Sequence, residues 1–482
     1  MSESSPRRVY FVAIAGTGMG SLAGLLRARG LEVQGSDAKL YPPMSTALEQ
    51  WGIPVHQGFR ADQVLRAQPD LVVIGNAVRP DNPEAMAVLE EGLPHLSFPD
   101  ALFRLAIEGK HSVVIAGTHG KTTTTSLVAK LLHAAGRDPS LLVGGYSLDF
   151  DGSFCNGQGP HFVVEGDEYD TAFFDKTPKF LHYGARTCLL TSVEFDHADI
   201  YRDLEHVKQA FRALVARLPA DGVLVAAANH DGVRDVASGA PCRVVGYGLG
   251  ADGAPEWRAA ALCAEADGTR FEIERAGRPV ARARLPLFGA FNVENALGAV
   301  ATAVELGVPV ERAAAALAGF RGVKRRQEVR GEARGVTLLD DFAHHPTAVR
   351  ETIAAVRAGW PGRRLVAVFE PRTNTSRRKV FQSDYAAAFD GSDLVVIAAV
   401  PDAPIYSATG EVTERFSAQE LARDLRARRI DAHAIDGVEA IVDWLDEALA
   451  PGDVVLAMSN GAFGGFWDKL LKRLHSGSPD ER

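Results

Sequence analysis

Short apolar runs alternate with stretches of helical periodicity along most of the chain. Residues 9–14, 187–193 and 393–399 are examples of such runs, and each leads into a polar or glycine-containing turn. Strands that helices cover on both faces are typically apolar along their whole length. The alternation of such strands with helices therefore predicts α/β units built on parallel sheets.

The predicted elements form three groups. A chain of 482 residues is long enough for about three domains. We place the boundaries at residues 1–109, 110–325 and 326–482. The fold class expected is α/β, with a Rossmann-like N-terminal domain, a central domain of the P-loop ATPase type and a Rossmann-like C-terminal domain. Shorter strands and turns are expected between about residues 215 and 285 of the central domain.

Composition is that of an ordinary globular protein, with 46% hydrophobic and 23% charged residues. The net charge of −9 and the lack of a basic block argue against a nucleic-acid partner. No apolar run is long enough to span a bilayer, and the first residues lack the apolar core of a signal peptide. The four cysteines form no Cys-x-x-Cys pair. We therefore expect a cytoplasmic protein without a membrane partner; a monomer and a homodimer both remain open.

A glycine turn follows the apolar run that ends at Ala116. The turn and the start of the next helix comprise Gly117, Thr118, His119, Gly120, Lys121, Thr122 and Thr123. Backbone N–H groups at such a turn and the positive end of a helix dipole bind phosphate. Lysine can reach the outer phosphates and threonine can ligate Mg²⁺. The first glycine lies at residue 117 rather than 115, so we interpret the motif as a variant P-loop; a plain strand–turn–helix is the alternative.

Two further predicted strands end in acidic segments. Glu165, Asp167, Glu168 and Asp170 follow one strand, and residues 194–199, which include a histidine, follow the other. In isolation the acidic run is most simply a solvated loop. Beside a nucleotide site, a carboxylate is expected to hold the Mg²⁺ that accompanies the phosphates. The histidine in the second segment is a candidate metal ligand or general base.

The N-terminal group carries a glycine turn of its own at residues 15–20, followed by a strand that ends in Ser36 and Asp37. This resembles a dinucleotide fingerprint, except that Ser21 stands where the third glycine is expected. The loop at residues 76–83 follows another strand end, where open α/β sheets bind ligands. A phosphate-bearing ligand, a tight turn without a ligand and an NAD-dependent oxidoreductase are all compatible with this pattern.

Later motifs supply more candidates. Asn292 and Asn295 share one face of a predicted helix, where they can bind adenine or cap the helix. Arg325 and Arg326 can contact a phosphate or form a basic hinge. Strand ends in the third group carry further polar side chains: Asp340, Asp341, His344 and His345, then Arg372, Asn374 and Arg377. The arginines of the second set are candidates for clamping a substrate carboxylate.

In chain order, these motifs resemble those of the Mur ligase family, the ATP-dependent amide-forming enzymes of peptidoglycan synthesis. The resemblance implies that Lys121 and Thr122 bind the ATP phosphates and Mg²⁺, that Glu165 and His197 are metal ligands, and that Asn292 and Asn295 bind adenine. It implies that Arg326 and Asp341 lie near the γ-phosphate, with His344 as a candidate base. Phe291 departs from the histidine common in the family. Either Lys176 or Lys179 is a candidate for the carbamylated lysine of several members.

The resemblance also implies the substrates. UDP-N-acetylmuramate is expected in the N-terminal domain, at Gly16, Thr17, Gly18, Met19, Gly20, Ser36, Asp37, Asn76 and Asn82. The amine donor is expected at Arg372, Asn374 and Arg377. The members most similar in motif join UDP-N-acetylmuramate to L-alanyl-γ-D-glutamyl-meso-diaminopimelate through an acyl phosphate, in cell-wall recycling. Ligation of free L-alanine is the nearest alternative, and a nucleotide-binding regulatory protein without catalysis is a more distant one.

Overall fold

The computed structural model describes residues 6–250, 252, 254–400, 405, 410, 412 and 414–476. These residues form three sheets, each flanked by helices, which confirms the predicted three-domain α/β fold class. The ends of the first and last predicted domains, residues 1–5 and 477–482, lie outside the described residues. Within the described ranges, no helix combines the length and apolar character that a membrane span requires.

The N-terminal sheet is parallel and has the strand order β3-β2-β1-β4-β5. Its elements are β1 Arg8–Val12, α1 Thr17–Ala28, β2 Glu32–Asp37, α2 Met44–Gln50, β3 Val55–Gln57, α3 Ala61–Arg66, β4 Leu71–Ile74, α4 Pro83–Glu90, β5 His95–Ser97 and α5 Phe98–Leu102. The strand order reverses between β1 and β4. The predicted glycine turn after β1 and the loop after β4 therefore flank the crevice where such sheets bind ligands.

Helix α1 starts earlier than the sequence predicts. We expected a turn over residues 15–20 and a helix from Ser21, but the helix begins at Thr17. The Gly20 N–H donates to the Gly16 carbonyl at 2.8 Å and closes a helical turn, so the glycine turn is shorter than predicted. A Cβ on Gly20 would lie 2.2 Å from the Met44 sulfur, so this glycine also allows α1 and α2 to pack closely.

The central sheet has ten strands in the order β15-β14-β13-β12-β11-β10-β6-β9-β7-β8. Its elements are β6 His111–Ala116, α6 Lys121–Ala134, β7 Ser140–Ser147, β8 Gly152–Cys155, β9 His161–Gly166, β10 Thr187–Leu190, α7 Leu204–Ala216, β11 Val223–Ala227, α8 Asp231–Ala237, β12 Arg243–Gly248, β13 Trp257–Glu265, β14 Gly268–Arg275, β15 Arg278–Leu285, α9 Ala290–Glu305 and α10 Val310–Leu317. Strand β6 lies between β9 and β10, so the P-loop and both acidic segments meet at neighbouring strand ends.

Strands β13–β15 correct one expectation. We predicted short strands in this region, but they form an antiparallel meander of 9, 8 and 8 residues. Charged residues alternate with apolar ones along β14 and β15, because one face of the meander contacts solvent. This alternation is the usual pattern of an antiparallel sheet with one wet face.

The C-terminal sheet has the order β16-β17-β21-β18-β19-β20. Its elements are β16 Glu328–Ala333, β17 Val336–Asp341, α11 Pro346–Gly359, β18 Leu365–Phe369, α12 Gln382–Ala388, β19 Leu394–Ala398, α13 Ala418–Ala427, β20 Asp431–Ile435, α14 Val438–Ala448, β21 Val454–Met458 and α15 Phe466–Ser476. Five strands are parallel, which is the arrangement predicted for this sheet, although β20 was not among the four strands predicted. The edge strand β16 is antiparallel and was not predicted either, because its largely polar sequence lacks the apolar run of those four.

The domains differ in how they share their cores. One apolar cluster runs from Val9 in the N-terminal domain to Val323 in the central domain. Trp51 and Phe154 pack edge to face across that boundary with 5.1 Å between ring centroids. The C-terminal sheet has separate clusters on its two faces, and Phe195 is the central-domain residue that packs against one of them. The N-terminal and central domains therefore share one apolar core, whereas the C-terminal domain has core clusters of its own and meets the central domain through aromatic pairs, such as Phe288 and Trp360, and through polar contacts.

Candidate active site

The P-loop connects β6 to α6, as the sequence predicts. Gly117 and Gly120 have φ of +135° and +80°, a region that residues with a Cβ rarely adopt. A Cβ on Gly120 would also lie 2.5 Å from Asn295 Oδ1. The loop thus combines two glycine-requiring turns with the N-terminus of a helix of 14 residues, a typical anion-binding arrangement.

Glu168 is the partner of the P-loop lysine. Its carboxylate, 2% exposed, accepts from Lys121 Nζ at 2.8 Å and lies 3.1 Å from His197 Nε2. The Tyr201 hydroxyl donates to the Glu168 backbone carbonyl at 2.7 Å. Sequence reasoning noted Glu168 among four acids but did not select it. Only the path of the chain after β9 shows which of the four faces the phosphate loop.

The hydrogen bonds and charges around Glu168 determine the protonation states of Lys121 and His197. Burial opposes charge on both side chains, but Glu168, Asp167 and Glu165 together outweigh it for Lys121 and raise its pKa. For His197, Asp196 and Glu168 outweigh burial and raise the pKa to about 9. His197 is therefore protonated near neutral pH in this structure. A role as a metal ligand requires that proton to leave.

Glu165 and Thr122 form the best candidate Mg²⁺ site. The Thr122 hydroxyl donates to Glu165 Oε1 at 3.0 Å, and the Gly144 N–H donates to Oε2 at 2.6 Å. Burial raises the pKa of Glu165, since the neutral donors and Lys121 only partly offset the loss of water. A carboxylate that lacks sufficient positive charge, next to a hydroxyl at a phosphate loop, is suited to a hard divalent cation.

The two lysines considered for carbamylation lie in different settings. Lys179 is 8% exposed and its Nζ lies 2.6 Å from Asp167 Oδ2. The Lys176 side chain is 67% exposed and pairs with Asp170. Both lysines thus pair with acids of the run, and Lys179 is the buried one of the two.

The adenine candidates lie close to the P-loop. Asn295 packs against Gly120. Asn292 Nδ2 donates to the Phe288 carbonyl at 2.8 Å, so its amide also organises the start of α9. Thr123, in the first turn of α6, is buried. The structure therefore places Asn295 against the nucleotide loop, while the Asn292 amide bonds at the start of its own helix.

Arg326 and Asp341 both lie at the hinge into the C-terminal domain. Burial lowers the pKa of Arg326, and the carboxylates that oppose this shift are Asp341, Glu165 and Asp340. The guanidinium also lies over the Phe342 ring at 4.6 Å. Asp341 accepts from the backbone N–H groups of Gln327 and Ala343 at 2.9 and 2.8 Å. Arg326 is thus within electrostatic reach of the candidate metal carboxylate Glu165, and Asp341 anchors the hinge through its backbone partners.

His344 has the protonation state that a base requires. Burial lowers its pKa, and its Nδ1 lies 3.1 Å from the Phe342 carbonyl oxygen. Nδ1 therefore carries the proton, which leaves Nε2 to accept one. Asp196 lies 3.8 Å from that nitrogen. The imidazole is neutral near pH 7 and adjoins the segment that contains His197.

The candidate UDP-sugar residues divide into two sets. Gly16, Thr17 and Asn76 are exposed at the crevice between β1 and β4. Asp37 accepts from the Ala15 N–H at 2.8 Å and so holds the turn.

The residues of the other set bond or pack within the N-terminal domain itself. Ser36 is fully buried and donates to Glu84, and Asn82 caps α4 by accepting from two backbone N–H groups. Met19 and Gly20 lie in the buried face of α1, while Gly18 packs against Phe98. These residues shape the crevice, and their own contacts are hydrogen bonds and packing inside the domain.

The candidate carboxylate clamp lies beside the central domain. Arg372 is exposed and lies over Gly461, where a Cβ would come within 1.4 Å of Arg372 Nη1. Arg377 is 7% exposed and donates to Asn374 Oδ1 at 3.1 Å, and Asn374 Nδ2 lies 3.3 Å from Asp199 Oδ2. Arg372 is therefore directed to solvent, whereas Arg377 and Asn374 form part of the contact between domains.

A further cluster joins three separate segments. His119 from the P-loop, Glu194 after β10 and His345 before α11 each offer a ligand atom, and these atoms lie within 4.8 Å of one another. The rings of His119 and His345 are 4.7 Å apart. These three residues could not be grouped from the sequence, since no spacing along the chain relates them.

Comparison with known proteins supports one family over the whole chain. Three domain families match in succession: Mur ligase family, catalytic domain, at residues 8–109; Mur ligase middle domain, at 115–303; and Mur ligase, glutamate ligase domain, at 325–461. UDP-N-acetylmuramate--L-alanyl-gamma-D-glutamyl-meso-2,6-diaminoheptandioate ligase of Escherichia coli (strain K12) is 40% identical, over 97% of this chain and 98% of the relative.

Other relatives agree. UDP-N-acetylmuramate--L-alanine ligase of Sorangium cellulosum (strain So ce56) is 35% identical, over 100% of this chain and 99% of the relative. The crystal structure of a murein peptide ligase from Psychrobacter arcticus 273-4 has a TM-score of 0.71 and 32% identity, and the match covers 98% of this chain and 99% of that one. Sequence, fold and site geometry lead to the same conclusion: the chain belongs to the Mur ligase family.

Proposed function

We propose that this enzyme is an ATP-dependent ligase that joins UDP-N-acetylmuramate to L-alanyl-γ-D-glutamyl-meso-diaminopimelate. The observation that carries the proposal is the 40% identity, across nearly the full length of both chains, to the Escherichia coli ligase named for that reaction. Because the chain belongs to a family of ATP-dependent ligases, we propose ligase chemistry in place of an oxidoreductase or a regulatory protein. Mg²⁺ is proposed as the accompanying metal on the chemistry of Glu165 and Thr122.

The proposed division of labour follows the three sheets. Residues 1–109 bind the UDP-sugar, residues 110–325 bind ATP and residues 326–482 bind the amine donor. In the central domain, Lys121 and the P-loop N–H groups bind the phosphates, and the asparagines of α9 bind adenine. Glu165 and Thr122 hold Mg²⁺, which neutralises charge on the transferring phosphoryl group when bound.

The reaction proposed has two steps. The muramate carboxylate attacks the γ-phosphorus of ATP, the bond to the β,γ-bridging oxygen breaks, and ADP leaves as the acyl phosphate forms; Arg326 and Lys121 offset the negative charge. The peptide amine then attacks the acyl carbon, phosphate leaves and the amide forms. His344, held neutral by burial, accepts the proton at Nε2 as the amine attacks. The proposed clamp by Arg372 orients the donor through a carboxylate.

An amine-donor panel tests this function. Purified enzyme, ATP, Mg²⁺ and UDP-N-acetylmuramate are incubated with the tripeptide or with L-alanine, and phosphate release is followed. We expect a higher kcat/KM with the tripeptide. The 35% identity to an L-alanine ligase makes L-alanine the second candidate donor. Faster phosphate release with L-alanine would overturn the assignment of the donor while leaving the ligase chemistry intact.

A further inference from the structure

The segment Glu194–Asp199 contacts both the P-loop of the central domain and the C-terminal domain. This stretch, here termed the bridging segment, follows β10 and passes beside the P-loop. Glu194 lies at its start and Asp199 at its end. The contacts on its two sides are distinct, and they suggest a role beyond supplying His197.

One side of the bridging segment is bonded to the P-loop. The Thr118 hydroxyl accepts from the Glu194 N–H at 2.9 Å and lies 3.2 Å from the Glu194 carbonyl oxygen. His119 Nε2 lies 3.4 Å from Glu194 Oε2. Further along, His197 reaches Lys121 through Glu168. Because of these bonds, we expect the bridging segment to move together with the phosphate loop.

The other side is bonded to the start of α11. The Thr347 hydroxyl donates to Glu194 Oε2 at 2.7 Å, and His345 Nε2 donates to the Phe195 carbonyl at 3.1 Å. Burial raises the pKa of Glu194, but His119 and Thr347 outweigh it and lower the pKa to about 2. Glu194 is therefore an anion that accepts from one domain while it faces the nucleotide loop of the other.

A second set of contacts continues the attachment. The Ala198 N–H donates to Thr375 Oγ1 at 3.0 Å, and Arg378 Nη1 donates to the Ala198 carbonyl at 3.0 Å. Asn374 reaches Asp199 at 3.3 Å. Threonine, arginine and asparagine here all belong to the loop after β18. The C-terminal domain is thus held to the bridging segment by directional hydrogen bonds from two of its strand ends.

A transition metal is an alternative occupant of the cluster formed by His119, Glu194 and His345. Two imidazoles and a carboxylate are typical zinc ligands. However, both nitrogens of His345 already have partners: Nε2 donates to the Phe195 carbonyl, and Nδ1 accepts from the Thr347 N–H at 3.2 Å. Metal binding would uncap α11. Hydrogen bonding is therefore the better interpretation of the cluster.

We propose that Glu194 is a positioning residue. Its hydrogen bond with Thr347 fixes the position of the C-terminal domain relative to the phosphate loop. This rests on the ligase function proposed above. The acyl phosphate forms on the central domain and the amine arrives on the C-terminal one, so an error of about 1 Å in domain placement costs roughly 100-fold in rate. The hydrogen bond between Thr347 and the partly buried Glu194 carboxylate supplies direction that apolar contact at Phe195 does not.

Thr347→Val and Thr347→Ser test the proposal as a pair. Valine keeps the shape of threonine and removes the donor, whereas serine keeps the donor. We expect Thr347→Val to lower kcat about tenfold or more, as for loss of a hydrogen bond to a charged group. The melting temperature and the Kd for a non-hydrolysable ATP analogue and for UDP-N-acetylmuramate are expected to stay near wild type. Thr347→Ser should restore most of kcat, and Glu194→Gln should resemble Thr347→Val.

The control is Glu311→Gln, a matched change on the exposed start of α10, which should leave kcat unchanged. Wild-type kcat in Thr347→Val, a Thr347→Ser variant as slow as Thr347→Val, or a loss of rate that merely follows weaker ATP binding would each overturn the proposal. A change in kcat when Zn²⁺ is added to the EDTA-treated, Mg²⁺-saturated enzyme, abolished in His119→Asn, would also overturn it in favour of a metal.

A readout without the amine separates this proposal from the proposed function. Small-angle scattering with the ATP analogue reports domain closure whatever the donor is. We expect the analogue to reduce the radius of gyration of the wild type but not of Thr347→Val. Equal compaction in both would contradict the positioning role, whereas a wild type inactive with the tripeptide would contradict only the proposed function.

Discussion

Lys121 and Glu168 form a buried ion pair inside the phosphate loop, with 2.8 Å between Lys121 Nζ and Glu168 Oε2. The ammonium that is proposed to meet the ATP phosphates is thus held in place by a carboxylate and by the carbonyl oxygens of Gly117 and Thr118. ATP has to compete with these partners. The pair explains how a buried lysine stays charged and ready for an anion.

Replacement of Lys121 by methionine should abolish most amide formation. We expect kcat/KM to fall about 100- to 1000-fold, because a cation at the transferring phosphoryl group is lost from a preorganised site. Binding of UDP-N-acetylmuramate, measured by calorimetry, should not change, since its proposed site lies in another domain. Lys472→Met, on the exposed face of α15, is the matched control. Full activity in Lys121→Met would contradict the P-loop assignment.

Mg²⁺ dependence should follow Glu165. In Glu165→Gln the candidate cation site loses its charge but keeps its shape, so the Mg²⁺ concentration for half-maximal activity should rise at least about tenfold. Thr122→Val should shift the same titration in the same direction. EDTA should stop phosphate release by the wild type, and added Mg²⁺ should restore it. An unchanged Mg²⁺ titration in both variants would place the metal elsewhere.

Gly461→Ala should act through Arg372. The added Cβ would come within 1.4 Å of Arg372 Nη1 and must displace the guanidinium. We expect a higher KM for the tripeptide, with KM for ATP and UDP-N-acetylmuramate near wild type, and the same pattern for Arg372→Met. The two changes together should add little to either alone, since both remove one contact. Normal KM for the tripeptide in both single variants would rule out the clamp.

Stability should fall on acidification because of a buried histidine pair. His111 and His161 face each other on β6 and β9, and burial lowers the pKa of both, to about 4 for His161. A histidine with a depressed pKa in the folded state contributes stability above its unfolded pKa near 6.5 and loses it as the pH falls towards 4. The loss for His161 should reach roughly 2–3 kcal/mol at pH 4.

Melting temperatures between pH 7 and pH 4.5 provide the measurement. His161→Gln removes one titrating group, so its melting temperature should fall less steeply with pH than that of the wild type. His475→Gln, at an exposed site on α15, should keep the wild-type slope. A slope in His161→Gln as steep as in the wild type would show that other groups govern the acid response.

Family, fold class and the nucleotide loop could all be predicted from the sequence, because strands that are covered on both faces and glycine turns leave local signals. The pairing of Thr122 with Glu165 follows from the same logic, since β6 and β9 are neighbours whose ends meet. The roles assigned to individual site residues stay predictions until the variants above are measured.

Other features depend on tertiary contacts. Glu168 was not selected because four acids in one run look alike until the chain after β9 is traced. The cluster of His119, Glu194 and His345 joins three distant segments, and no periodicity relates them. Ser36 and Asn82 look like ligand-binding residues in sequence, yet their side chains bond to Glu84 and to the start of α4. The edge strands β16 and β20 lack the apolar run by which the other four strands of that sheet were found.

The most direct test is a competition in one mixture. The enzyme is given ATP, Mg²⁺, UDP-N-acetylmuramate, the tripeptide and L-alanine at equal concentrations, and the early products are separated by mass spectrometry. We predict that UDP-N-acetylmuramyl-tripeptide forms first and in excess, with one phosphate released per amide bond. Predominant formation of UDP-N-acetylmuramyl-L-alanine, or phosphate release without either product, would contradict the proposed function.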